Sequence, residues 1–83
     1  MEDRKILDFR INEINKYLSS SRQWLRLITV NNKNTGLYYE LYWDKKTSID
    51  EYEEFIFSGD TLDIQTALSG ISYGIRIEQY KAK

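Results

Sequence analysis

The sequence predicts a small α+β domain: a single unit over residues 1–83, ordered α-β-β-α-α-β, with helices packed on a three-stranded, mainly antiparallel sheet. Three observations lead there. Residues 3–19 carry apolar side chains at helical spacing. The run "LYYELYWD" alternates strictly between apolar and polar positions. After a stretch of helical spacing, "SYGIRIEQY" alternates again near the C-terminus.

In the first segment, Leu7, Ile11, Ile14 and Leu18 recur at i, i+4, i+7 and i+11 and fall within about 60° of helical arc, which is a core-facing stripe. Phe9 projects from the opposite side, among Lys5, Glu13 and Lys16. A lone exposed aromatic is tolerated there, and it is also a candidate partner contact. "SSS" at 19–21 ends the helix.

"RQWLRLITV", residues 22–30, is rich in β-branched and aromatic types and reads as a strand. "NNKNTG" is a turn in which Gly36 and the asparagines accept positive φ. The next strand places Leu37, Tyr39, Leu41 and Trp43 on one face and Tyr38, Glu40, Tyr42 and Asp44 on the other. A loop of about four to six residues joins the two into an antiparallel hairpin.

"TSIDEYEEFIFSGDTLD", residues 47–63, holds six carboxylates, three aromatic rings and no lysine or arginine. Ser48 and Glu51 fit a capping box, after which Ile49, Tyr52 and Ile56 line one helical side and Asp50, Glu51 and Glu54 the other. Gly59 closes this helix. Asp60 or Thr61 then caps another, through Ile64, Leu68 and Ile71. Tyr73, Ile75 and Ile77 against Arg76, Glu78 and Tyr80 complete the third strand, before a frayed "KAK".

Net charge is −1, with opposite halves: residues 1–34 hold seven Lys/Arg against four Asp/Glu, and residues 35–83 five against nine. No cysteine or histidine occurs, which removes disulfides, the usual zinc and copper ligands, and the ordinary general base near neutral pH. The expectation is a protein that is not an enzyme and uses no cofactor or metal. "DTLDIQTALSG" lacks the oxygen spacing of an EF-hand loop. No apolar run reaches the roughly 20 residues of a membrane span, and "MEDRKILDFR" is too charged for a secretory signal, so a cytoplasmic protein is expected. The absence of proline, with abundant Ile, Asn, Lys and Tyr, matches the coding habit of an AT-rich genome such as a phage. In that case the compartment is the host cytoplasm.

"IQTALSGISYGIRIEQY" resembles the second half of a helix-turn-helix of the phage-repressor kind. Only two residues separate Ala67 from Gly70, where that pattern has three, and no base-contacting residue is carried over.

Two candidate surfaces remain. One is the acidic helix, Asp50, Glu51, Glu53 and Glu54 with Asp60 and Asp63 after it, whose uncompensated charge suits a protein partner with a basic surface. The other is the sheet face bearing Tyr38 and Tyr42, with Tyr80 and either Trp24 and Ile28 or Leu25 and Leu27, which offers large contact area to a partner or to a second copy as a homodimer. Glu40, Asp44 and Glu78 on that side repel phosphates and disfavour direct nucleic-acid binding. The expected function is a non-catalytic protein-binding module. Its most concrete form is a small stoichiometric inhibitor or adaptor, phage-encoded and acting on a host nucleic-acid-handling or defence protein such as a CRISPR effector. The rival readings are a nucleic-acid-binding regulator using the basic N-terminal helix and first strand, and a homo-oligomeric structural component.

Overall fold

The first helix, α1, spans Glu2–Tyr17, and its predicted stripe is its buried side: Leu7, Ile11, Ile14 and Leu18 are all in the core. The computed structural model describes residues 2–18 and 22–81, with side chains over 4–18 and 22–75. The expected stop at 19–21 lies outside the described residues.

Strands β1 (Gln23–Asn32) and β2 (Gly36–Lys46) form the expected antiparallel hairpin, paired from Gln23↔Lys45 to Asn32↔Gly36. Its loop is tighter than expected, with three residues between the strands. The Asn32 Oδ1 accepts hydrogen bonds from the backbone N–H groups of Asn34 and Thr35, and Gly36 takes φ +86°, a left-handed value that suits glycine. The alternation in β2 is also as expected. Tyr39 and Leu41 are buried with Leu25 and Leu27 of β1, and Trp43 is partly buried against them.

The segment after β2 overturns an expectation. Residues 48–57 are not a helix: Glu51–Gly59 is strand β3, antiparallel to β2, in a sheet of order β1-β2-β3. The proposed capping box at Ser48 is instead a hairpin turn. The Thr47 Oγ1 accepts from the Asp50 N–H, and the Thr47 N–H donates to the Asp50 carbonyl. Ile49, assigned inward, is 94% exposed at the turn. The misleading period arises because Ile49 belongs to the turn and the four-residue spacing of Tyr52 and Ile56 fits a strand face as well as a helix side; a β-bulge disturbs the alternation further on. Tyr42 pairs with Phe55 and Leu41 with Phe57, so Ile56 is an extra residue. The bulge puts Ile56 against the core and Phe57 beside Asp63, Thr66 and Ala67, while Phe55 stays on the opposite face with Tyr42. Alternation is broken between Ile56 and Phe57, while Tyr52 and Ile56, four apart, share a side in a strand as they would in a helix.

The second correction follows in the chain. Residues 72–80 are not a strand but part of one helix, α2, spanning Thr61–Lys81. Ile64 and Leu68 are fully buried, and Ile71 and Ile75 pack partly buried on the same core, continuing a single i, i+4, i+7, i+11 stripe. Gly70 and Gly74 sit inside the helix, each with open space where a β-carbon would stand. Asp60 caps it reciprocally: the Asp63 N–H donates to Asp60 Oδ1, and the Asp60 N–H donates to Asp63 Oδ2. A β-carbon at Gly59 would collide with the Asp63 side chain, so the glycine leaves room for this cap.

Both helices lie on the Leu25/Leu27/Tyr39/Leu41 face of a three-stranded antiparallel sheet. The class is therefore the expected α+β, with element order α-β-β-β-α. Among the described residues, no helix is long and apolar enough to cross a membrane.

Candidate functional site

No described element covers the second face of the sheet. Cross-strand register arranges it in rows. Arg26, Tyr42 and Phe55 form the central row. Trp24, Asp44 and Glu53 lie to one side, and Ile28, Glu40 and Ser58 to the other, with Val30 and Tyr38 beyond. Phe55 is 53% exposed and Trp24 39%, while Tyr38, Tyr42, Ile28 and Val30 are each partly exposed.

The centre is rigidly built. Arg26 Nε and Nη2 donate to the two carboxylate oxygens of Asp44 at 2.7 and 3.1 Å, and Nη2 also donates to Glu53. Its guanidinium carbon lies 5.0 Å from the centroid of the Tyr42 ring. Tyr42 in turn meets Phe55 edge-on at 5.6 Å and 77°, and its hydroxyl donates to Glu40 Oε1 at 3.1 Å. Hydrogen bonding to Asp44 is the main influence holding Arg26 even further toward its charged form. Burial, then the bond to Glu40, raises the Tyr42 phenol above its ordinary value. With rotamers fixed in this way, less side-chain entropy is lost when a partner docks.

The acids assigned to one helical surface are dispersed. Glu51 and Glu53 point to the open face and Glu54 to the helix-bearing face. Each is ion-paired: Glu51 with Lys46 at 3.5 Å, Glu54 with Lys45 at 2.7 Å, and Glu53 with Arg26. Lys45 is held further toward its charged form, chiefly by its bond to Glu54. Asp50 belongs to the hairpin turn, and Asp60 and Asp63 are the cap of α2. The acidic helix therefore does not exist as a surface, because alternation on a strand sends neighbouring side chains to opposite faces.

Tyr38 and Tyr42 stand on the open face, as expected, in company with Trp24 and Ile28 rather than Leu25 and Leu27. Phe9 is 67% exposed and lies remote from them, in a groove between α1 and α2 lined also by Arg10, Glu13 and Tyr17. The Tyr80 side chain lies outside the described ones. Sequence reading missed Phe55, because residues 48–57 read as a helix, and missed Arg26 as the centre of the face. The equal spacing of Arg26 and Tyr42 from the turn was the available signal.

The cations of the N-terminal half are largely engaged within the fold. Arg4 binds Asp8, Thr29 and the Leu27 carbonyl, Arg10 binds the Gln65 carbonyl and Ser69, and Lys16 binds Glu13. Among the described residues, no three His, Cys, Asp or Glu side chains group to hold a metal ion. Comparison with known proteins finds no matching family model, no matching curated protein and no matching solved structure.

Proposed function

We propose that this chain is a non-catalytic protein-binding module, a stoichiometric inhibitor or adaptor, which holds its partner on the open face of the sheet. One observation carries the reading: six apolar or aromatic side chains, Trp24, Ile28, Val30, Tyr38, Tyr42 and Phe55, share a face that no described element covers. Aromatic rings with an arginine at the centre of a contact patch are the residue types that dominate binding energy. Catalysis is disfavoured by the inventory, since the chain has neither histidine nor cysteine. The face also bears four carboxylates, Glu40, Asp44, Glu51 and Glu53, against two cations, Arg26 and Lys46, which favours a partner with a basic surface. The most concrete form is a cytoplasmic, phage-encoded inhibitor of a nucleic-acid-handling or defence protein such as a CRISPR effector. Composition, small size and that charge balance support this form.

The test is capture from host lysate with a tagged chain, followed by dissociation kinetics of the captured protein from Tyr38→Ala/Tyr42→Ala. The double variant should dissociate at least about tenfold faster, as loss of central aromatic area acts mainly on complex lifetime. An unchanged lifetime, with the variant folded, removes the open face from the account.

A further inference from the structure

A strand at the edge of a sheet presents backbone donors and acceptors that another chain can pair with, and the two edges of this sheet are treated differently. In an antiparallel ladder, successive residues direct their N–H and C=O alternately toward one neighbour and the other. On β1 the outward groups of Leu25 and the outward carbonyl of Leu27 are satisfied by α1. Asn15 Oδ1 accepts from the Leu25 N–H at 2.8 Å, and Asn15 Nδ2 donates to the Leu25 carbonyl at 3.2 Å. Arg4 Nη2 donates to the Leu27 carbonyl at 2.8 Å. The Asn15 amide thus stands where the backbone of a further strand would stand.

Among the described residues, the β3 edge has no such cover from a helix. The Lys46 N–H donates to the Arg22 carbonyl, so Lys46 faces β1, and its partner Glu51 directs its backbone away from β2. Alternation then turns Tyr52 and Glu54 inward and Glu51, Glu53 and Phe55 outward, up to the bulge at Ile56. The Glu51 N–H is taken by its neighbour Asp50. Among the described residues, no group outside the sheet bonds the outward backbone of Glu53 or Phe55.

We propose that the outer edge of β3, over Glu51–Phe55, accepts an extended segment of a partner protein as a fourth strand. That segment carries lysine or arginine facing Glu51 and Glu53, and an apolar side chain against Phe55 or Tyr52. The inference rests on the chain being a protein-binding module, but not on the open face being the contact. Charge selects the occupant. Asp44, Asp50, Glu51, Glu53 and Glu54 cluster here against Arg26, Lys45 and Lys46, so negative charge is left over after the ion pairs form. The bulge confines regular pairing to 51–55. A second copy added there would oppose Glu53 to Glu53 in the antiparallel sense, or every glutamate to its equivalent in the parallel one, and like charges directly opposite are destabilising. Tyr52 and Phe55, each about half exposed, give the added strand one apolar anchor on either face.

The experiment is amide hydrogen exchange on the isotope-labelled chain, with a peptide of about seven residues alternating lysine and valine, and a control with glutamate for lysine. The lysine peptide should slow exchange at the Glu53 and Phe55 amides by about tenfold or more, less so at high salt, and the glutamate peptide should not. Glu53→Pro should abolish the effect while keeping the fold, because its N–H is not in the β2 ladder. Glu53→Ala, which retains that N–H, should keep part of the protection at Phe55. If the proline variant does not fold, the wild-type and alanine exchange data still decide. The proposal is overturned by the absence of slowing at these two amides, by equal slowing with the glutamate peptide, or by protection that rises with protein concentration alone. Tyr38→Ala should leave the slowing intact, so the edge and the open face fail separately.

Discussion

Arg26 is one of seven cations in the first 34 residues, and only the fold gives it neighbours. Bonded to Asp44 and Glu53 and lying over Tyr42, it turns three strands' side chains into one fixed patch. Tyr42 reports on that patch. Its phenol is raised above the ordinary 10.0, first by burial and then by donation to Glu40, so the protonated form is favoured in the fold. The linked stability is fully present below the unfolded value and is lost as pH rises through the folded one. Glu40→Gln should lower the Tyr42 titration without returning it to the ordinary value, because burial is the larger cause. Phenolate absorbance, taken as a difference against Tyr42→Phe, checks this. A full return would show that Glu40 alone sets the shift. The pairing of Arg26 with Tyr42 is legible in the sequence once the hairpin turn is located. The contact with Phe55 is not, because the segment reads as a helix and the register from the Thr47–Asp50 turn that places Phe55 opposite Tyr42 exists only once it is a strand.

At the scale of elements, α1 and the β1–β2 hairpin are local structures, and their apolar periods survive folding. The errors lie in β3 and the second half of α2, where two periods compete. "EYEEFIFSG" holds acids on both sides of the strand, which an edge strand tolerates because solvent reaches both faces, and its bulge disguises the alternation. In α2, Ile71 and Ile75 satisfy a helical stripe while Tyr73, Ile75 and Ile77 also satisfy a strand. The cap at Asp60–Asp63 and packing on the sheet decide for the helix despite two interior glycines, each of which costs about 1 kcal/mol relative to alanine. The cover of β1 belongs to this scale as well. Asn15→Ala strips both bonds from Leu25 and should destabilise the fold by about 1–2 kcal/mol, read as a lower urea midpoint with unchanged slope. It should also speed exchange of the Leu25 amide. If exchange there were unchanged, Asn15 would not be what closes that edge.

For the whole molecule, two helices share one face of a three-stranded sheet, so a single apolar layer holds the fold. Leu7, Leu41, Ile64 and Leu68 are fully buried, one from α1, one from the central strand and two from α2. Leu68→Ala should cost about 2–5 kcal/mol. Against a total of about 5–15 kcal/mol for a domain, this is enough to lower the thermal midpoint sharply. A loss below about 1 kcal/mol would mean that α2 does not close the core as described. The exposed ion pairs around β3 are screened by solvent, so they shape charge on the edge far more than they hold the fold.

By itself, the amino-acid sequence determined the class, the inward stripe of α1, the two faces of β2 and the absence of histidine and cysteine. These are properties of composition and of short-range period, which the chain carries wherever it goes. Tertiary structure alone decided that the acids lie along a strand, at its turn and in a helix cap, that no described element covers one sheet face, and that α1 closes part of the β1 edge while no described group outside the sheet bonds the outward backbone of Glu53 or Phe55. The reason is physical. A bulge, a cross-strand register and a side chain standing in for a missing strand are relations between segments distant in the chain, and no local period encodes them.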